Sequence, residues 1–71
     1  MDLEAVRDSL GLTQAELDRR AGLPRGSVGD IEAGRNQNPS VTVALALTGA
    51  LRRAGAKGVS VEQLFGDVKV G

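Results

Sequence analysis

TQAELDRRAGLPRGSVGDIEAG, residues 13–34, is the stretch whose reading decides the fold. Thr13 followed by Glu16 has the spacing of a capping box, where hydroxyl and carboxylate each accept from a free N–H of the helix start. Leu17 and Ala21 then fall on one face of the helix so begun, four residues apart. Gly22 supplies the positive φ that ends a helix, Leu23 can plug the corner, and Pro24 suits the first turn of the next helix. Val28 and Ile31 give that second helix a short apolar face, and Gly34 is a natural stop. The pattern predicts the second helix from Pro24 or Arg25 to Ala33. A connector this tight makes the two helices cross at a steep angle.

Two helices joined in this way form a helix-turn-helix over about residues 13–34. With its flanks, the stretch resembles the DNA-binding domain of the Cro/repressor-type (xenobiotic-response-element, XRE) helix-turn-helix regulators. The matching residues are Thr13-Gln14-x-Glu16-Leu17, Gly22-Leu23, Val28, Ile31-Glu32-x-Gly34 and Asn38-Pro39-Ser40, followed by Gly58-Val59-Ser60-x-x-x-Leu64-Phe65. Thr-Gln-x-Glu-Leu alone is a weak signal; the ordered set, spanning about residues 3–66, is a strong one. It implies an all-α fold: a compact five-helix lambda-repressor-like DNA-binding domain, one unit over residues 1–71.

Outside the motif, Asp2 can cap a first helix running through Leu10, with Leu3, Val6 and Leu10 on one face and Gly11 at its end. Residues 35–39 are polar and turn-rich, a surface loop. Ser40 caps a fourth helix whose residues 41–51 are apolar almost all round, the mark of a buried helix. One small domain can hardly cover both faces, so part of that surface is expected to meet the fifth helix and part a second chain. The expected dimer contacts are Leu47, Leu51 and Phe65. Residues 52–58 are longer than the family's usual link: either the fourth helix runs on about a turn before Gly55, or the loop is longer. Ser60 and Gln63 make another capping box, and Val61, Leu64 and Phe65 a short apolar face before Gly66. The tail from Asp67 is read as frayed or as a short strand through Val68 and Val70.

Seventy-one residues allow one small domain, burying only ~60% of the surface its unfolded chain exposes. So thin a core gains from a partner, which favours self-association. With neither cysteine nor histidine, the chain lacks a thiol nucleophile, zinc-thiolate ligands and the commonest general base. No paired-acid motif, phosphate loop or calcium loop points to catalysis, and no metal or cofactor is expected. Neither a secretory leader nor a run of membrane-spanning length is read, so the expected compartment is the cytoplasm, with nucleoid association when bound to DNA. Nine basic residues balance nine acidic ones. Their distribution is uneven: Asp2, Glu4 and Asp8 face Arg7 alone near the start, while Arg52, Arg53, Lys57 and Lys69 outnumber Glu62 and Asp67 near the end. DNA affinity should then lean on geometry and dimer avidity more than on bulk charge.

In a helix-turn-helix the second helix enters the major groove N-terminus first. Burying Val28 and Ile31 turns Arg25, Gly26, Gly29 and Asp30 outward. The resemblance assigns base contact to Arg25, Gly26 and Asp30. Arg25 can contact guanine O6 and N7 together; Asp30 can accept from cytosine N4 or simply steady an arginine. Gln14 matches a phosphate-clamping position, with Thr13 assisting, and Ser27, Arg35, Asn36 and Asn38 complete the expected backbone contacts. Taken alone, Arg7 reads as a solvated side chain; the resemblance implies instead a partly buried ion pair with Glu32. Gly26 and Gly29 each cost roughly 1 kcal/mol inside a helix. Either their bareness lets the backbone approach the bases, or the helix is a weak one held by packing. Asp18 stands where the family carries a small residue. Its carboxylate must escape to solvent or pair with an arginine, or the interhelix angle and base register shift.

These features predict a sequence-specific transcriptional regulator, a repressor acting as a homodimer on a palindromic operator. A phage-type repressor, a restriction-modification controller and an autoregulating antitoxin all fit. The competing expectation is a protein-interaction module, antitoxin-like or adaptor, on the same scaffold with weak or no DNA binding and an unknown protein partner. Neutral charge, Asp18, Asp30 and the two glycines favour it.

Overall fold

The computed structural model describes residues 3–66, and all regular structure among them is helical. In chain order the helices are α1 (Leu3–Ser9), α2 (Gln14–Ala21), α3 (Ser27–Glu32), α4 (Val41–Arg53) and α5 (Val61–Phe65). The expected cap at Asp2 and the tail from Asp67 lie outside the described residues.

Four of the five helices end by one device. After α1, α2, α3 and α4 a glycine with positive φ (Gly11, Gly22, Gly34, Gly55) donates its N–H three residues back, and the next residue donates five residues back. This paired arrangement satisfies two of the carbonyls that a helix end leaves open. It explains how short helices succeed one another with so little loop. Helix α4 does run past Leu51, as one of the two readings had it, to Arg53.

The core is built from one face of each of the first four helices plus two loop residues. Leu3 and Val6 come from α1, Leu17 from α2, Val28 from α3, and Ala44, Leu47, Ala50 and Leu51 from α4; Leu12 and Val59 fill the corners. Each large aliphatic among them contributes about 1.5–3 kcal/mol of burial. Helix α2 packs on both α3 and α4, while α5 packs on α4 with Leu64 and Phe65 half-buried.

One expectation for α4 needs correction. Within the domain the helix buries one face and leaves Leu45 56% exposed. Leu47 and Leu51, expected at a dimer contact, are 0% exposed. They lie in the buried cluster on the face that α4 packs against α2, and they offer nothing to a second chain. Phe65 stays partly accessible. Thr48, the one polar residue on the buried face of α4, donates its hydroxyl to the Ala44 carbonyl (2.8 Å) and so enters the core without an orphaned group.

Candidate nucleic-acid interface

The site is built on α2. Its first turn is closed by the box read from the sequence: Glu16 N–H donates to Thr13 Oγ1 (3.1 Å), and Thr13 N–H donates to Glu16 Oε1 (3.0 Å). Those bonds, the backbone one foremost, hold the Glu16 carboxyl below its ordinary value. Gly22 and Leu23 then turn the chain, and Leu23 packs against the core.

Beyond Leu23 the chain departs from the expected helix. Helix α3 starts at Ser27, not at Pro24 or Arg25. Residues 24–27 form a tight turn in which Ser27 N–H donates to the Pro24 carbonyl (3.2 Å) and the Ser27 hydroxyl to the same oxygen (2.8 Å). Gly26 has φ 96° and ψ −8°, the values of the third residue of a type II turn, which only glycine takes without strain. Gly26 is therefore not a bare position within a helix. It is the hinge of a turn, and Arg25 stands at the apex of that turn in front of the helix.

A helix that begins on glycine has no side chain to cap its first N–H groups, and Asp18 supplies what is missing. Gly26 N–H donates to Asp18 Oδ2 (2.9 Å) and Val28 N–H to Oδ1 (2.8 Å). Asp18 is 3% exposed, so neither escape to solvent nor an arginine partner describes it. The carboxylate of α2 is the N-terminal cap of α3. Two bonds from backbone donors to a carboxylate also favour an acid at a helix's positive end.

The other end of α3 is held from the same face of α2. Gln14 lies one turn before Asp18, and its Nε2 donates to Glu32 Oε1 (2.9 Å). Arg7 completes the grip. Its Nε donates to Glu32 Oε2 (2.7 Å), Nη2 to Oε1 (3.0 Å), and Nη1 to the Leu12 carbonyl (2.7 Å), with Asp8 beside it at 3.1 Å. The pair is well shielded, the two side chains being 10% and 5% exposed. Burial would raise the Glu32 carboxyl, but the bonds from Arg7 and Gln14 and the Arg7 charge together hold it below its ordinary value. Arg7 is pushed up, first by its bonds to Glu32. Between the two clamps lies Gly29. A Cβ there would sit 3.2 Å from Gln14 Oε1, so its bareness makes room for the glutamine rather than standing open to solvent.

The remaining candidates form the rim. Arg25 is exposed and its side chain has no hydrogen-bond or ion-pair partner among the described residues. It borders a small cleft of 180 Å³ together with Gln14, Ala15, Asp18 and Gly26. Asp30 accepts from Arg35 Nε (2.8 Å) in an exposed ion pair, so it steadies an arginine. Asn36 Oδ1 accepts from Asn38 N–H (3.3 Å), shaping the loop after α3. Thr13, Gln14, Arg25, Gly26, Asn36 and Asn38 are all exposed, and Ser27 is half-buried. Geometry thus gathers Gln14, Arg25 and Gly26 round one cleft and sets Asp30, Arg35, Asn36 and Asn38 at the far end of α3.

The residue whose role sequence reasoning missed is Asp18. Its signal was present in the pairing of two facts: a glycine at the start of α3, and an acid on the face of α2 that α3 must meet.

No match to a curated protein or to a solved structure was found. A helix-turn-helix family model does match, over residues 3–57, which takes in α1 to α4 and the whole motif. No helix among the described residues is long and apolar enough to cross a membrane. Such domains are DNA-binding regulatory modules rather than enzymatic ones. The chain belongs to the Cro/XRE-type helix-turn-helix family of DNA-binding regulators.

Proposed function

We propose that this protein is a sequence-specific transcriptional repressor that binds a two-fold symmetric operator as a homodimer. The observation that carries the reading is Arg25: a guanidinium without a partner among the described residues, at the apex of a turn, in front of a helix clamped at both ends. An arginine held ready on a rigid support suits two-bond contact with a guanine edge, because little order remains to be lost on binding. Gln14 and Thr13 at the start of α2, with Ser27, contact one phosphate stretch in this reading. Arg35, Asn36 and Asn38 contact another, and Gly26 and Asp30 lie against the bases. The Asp30–Arg35 pair is exposed and weak enough to open for that purpose.

The second copy sits against α5 through Phe65, the one of the three expected contacts that the core does not consume. Half-sites then lie about one helical turn apart, ~10–10.5 bp. Repression in this reading is by occupying a promoter. The cytoplasm, at the nucleoid, is its place of action. A protein-interaction module on this scaffold is the second reading, favoured by the neutral net charge and by the pairing of Asp30 with Arg35.

Selection of bound sequences from a random duplex pool tests the proposal. A palindromic consensus, bound with affinity that falls steeply as salt rises while the preference persists, is the expected result. Failure to enrich any sequence leaves the interaction module as the better account. Sedimentation of a Phe65→Ala variant tests the assembly: it should run as a monomer where the unsubstituted protein dimerises.

A further inference from the structure

We propose that Asp18 is a positioning residue for base reading: it fixes the Pro24–Ser27 turn and thereby sets where Arg25 points. This rests on the DNA-binding reading above and adds to it a determinant that never touches DNA. Among the described residues Arg25 has no side-chain bond of its own to anchor it. Its placement depends on the backbone on either side. Pro24 fixes one φ before it, and beyond it Gly26 is of the most permissive residue type. At φ 96° a glycine can relax to other conformations at small cost, and a turn swinging by one peptide would carry the arginine head several ångströms. The bonds from Gly26 and Val28 N–H to the two oxygens of one buried carboxylate forbid that motion. Both oxygens are used, one on the turn at Gly26 and one on the start of α3 at Val28, so the turn cannot pivot against the helix that follows it.

The amide of Asp18→Asn offers one good acceptor and turns an NH2 group toward the second donor. Helix α3 remains packed through Val28 and gripped at Glu32 by Gln14 and Arg7, and the turn keeps its own Ser27–Pro24 bonds, but one of the two bonds that tie this segment to α2 is lost. The experiment begins with the operator consensus selected by the unsubstituted protein, from which Arg25→Ala identifies the base pair that Arg25 reads. Asp18→Asn is then compared on DNAs altered at that base pair and on nonspecific duplex, well below its melting temperature. We expect preference at that base pair to fall about tenfold, within the range a two-bond arginine–guanine contact discriminates. Nonspecific affinity should stay within about twofold, because the phosphate contacts of Thr13, Gln14, Arg35, Asn36 and Asn38 lie outside the turn. In an Arg25→Ala background, Asp18→Asn should cause no further loss of preference there.

An equal fall on specific and nonspecific DNA overturns the proposal, since that is what a smaller folded fraction produces. Undiminished preference overturns it too. Should Asp18→Asn not fold, amide exchange in the unsubstituted protein decides: Gly26 and Val28 must stay protected both free and on the operator, and exposure of either on binding is fatal to the idea. If the unsubstituted protein selects no sequence at all, it is the DNA-binding reading that fails.

Discussion

Helices α2 and α3 are the two halves of one motif and end by the same glycine device, yet they are started and braced in different ways. Helix α2 is closed by its own neighbours in the chain: Thr13 and Glu16 at the start, Gly22 and Leu23 at the end. Helix α3 has six residues, begins on a glycine and has no capping side chain of its own. Its end carries the same glycine closure as α2, through Gly34 and Arg35, but its start depends on Asp18 from α2 and its last residue is gripped by Gln14 from α2 and Arg7 from α1. An isolated helix of that length is not stable in water. The difference shows where the rigidity of the reading helix resides. It is a property of α2's inner face and of α1, and only weakly of the sequence of α3.

The largest effect should come from breaking the clamp at the end of α3. Glu32→Ala removes the acceptor of three bonds and leaves the Arg7 guanidinium with Leu12 and Asp8. A loss of about 3 kcal/mol is expected, the low edge of the range for a broken buried pair because those oxygens remain. For a domain this small that lowers the melting temperature by roughly 12–24 °C, read by circular dichroism. An unchanged melting temperature is incompatible with a structural role for the pair.

Breaking the opposite end should cost less. Asp18→Ala leaves two backbone donors at the start of α3 without their acceptor, worth about 2 kcal/mol when water can partly reach them. The comparison between the ends sharpens if the loss exceeds that of Glu32→Ala. The N-terminal clamp would then be the principal one, and the charge pair secondary.

Acid should loosen the Glu32 end selectively. Because the folded state holds the Glu32 carboxyl below its ordinary value, its contribution is complete above the ordinary glutamate range. It is lost as pH falls through that depressed value, where the proton that unfolding would bind is forced on. Stability measured by denaturant titration should therefore decline below about pH 5. Glu32→Gln should show a shallower decline over the same interval. Glu16 shifts in the same direction, so part of the slope will survive the substitution.

On the α2 side of the comparison, Thr13→Ala removes one local cap and should cost about 1 kcal/mol. The loss should not depend on Asp18 or Glu32. Additivity in double variants is the measurement that checks this.

The same contrast between local and distant support governs what was legible in the sequence. The helix order, the boxes at Thr13 and Ser60, and the glycine stops follow from contacts within five residues of one another. Local chemistry of that kind is written in spacing. The Arg7–Glu32 contact was reachable only through family resemblance, because nothing in a 25-residue separation marks two charges as neighbours. Asp18 was visible as an anomaly but not as a cap, since its donors lie 8 and 10 residues away across a turn whose form was unknown. The start of α3 was misplaced for the same reason. Pro24 is compatible with both a helix first turn and a tight turn, and the φ of Gly26 decides between them. Leu47 and Leu51 went astray on a different count. A helix apolar all round shows no preferred face until its neighbours are placed.

The smallest effect tests the space between the clamps. Gly29 lies inside α3, where alanine should gain about 1 kcal/mol from helix propensity alone. The added Cβ, however, meets Gln14 Oε1 at 3.2 Å, closer than ordinary contact. The glutamine is exposed and flexible, so it can move aside, at the cost of its bond to Glu32. A surface bond of that kind is worth roughly 0.5–1 kcal/mol, so Gly29→Ala by itself should change stability by less than about 0.5 kcal/mol. In a Gln14→Ala background the neighbour is gone, and the same substitution should stabilise by the full ~1 kcal/mol. The four proteins of this cycle decide why the glycine is there. Coupling between the two positions assigns it to making room for Gln14; strict additivity returns it to the other accounts, a closely approaching backbone or a helix that is merely weak. Operator affinity separates those two, since only close approach requires Gly29→Ala to weaken binding while Gln14 is absent.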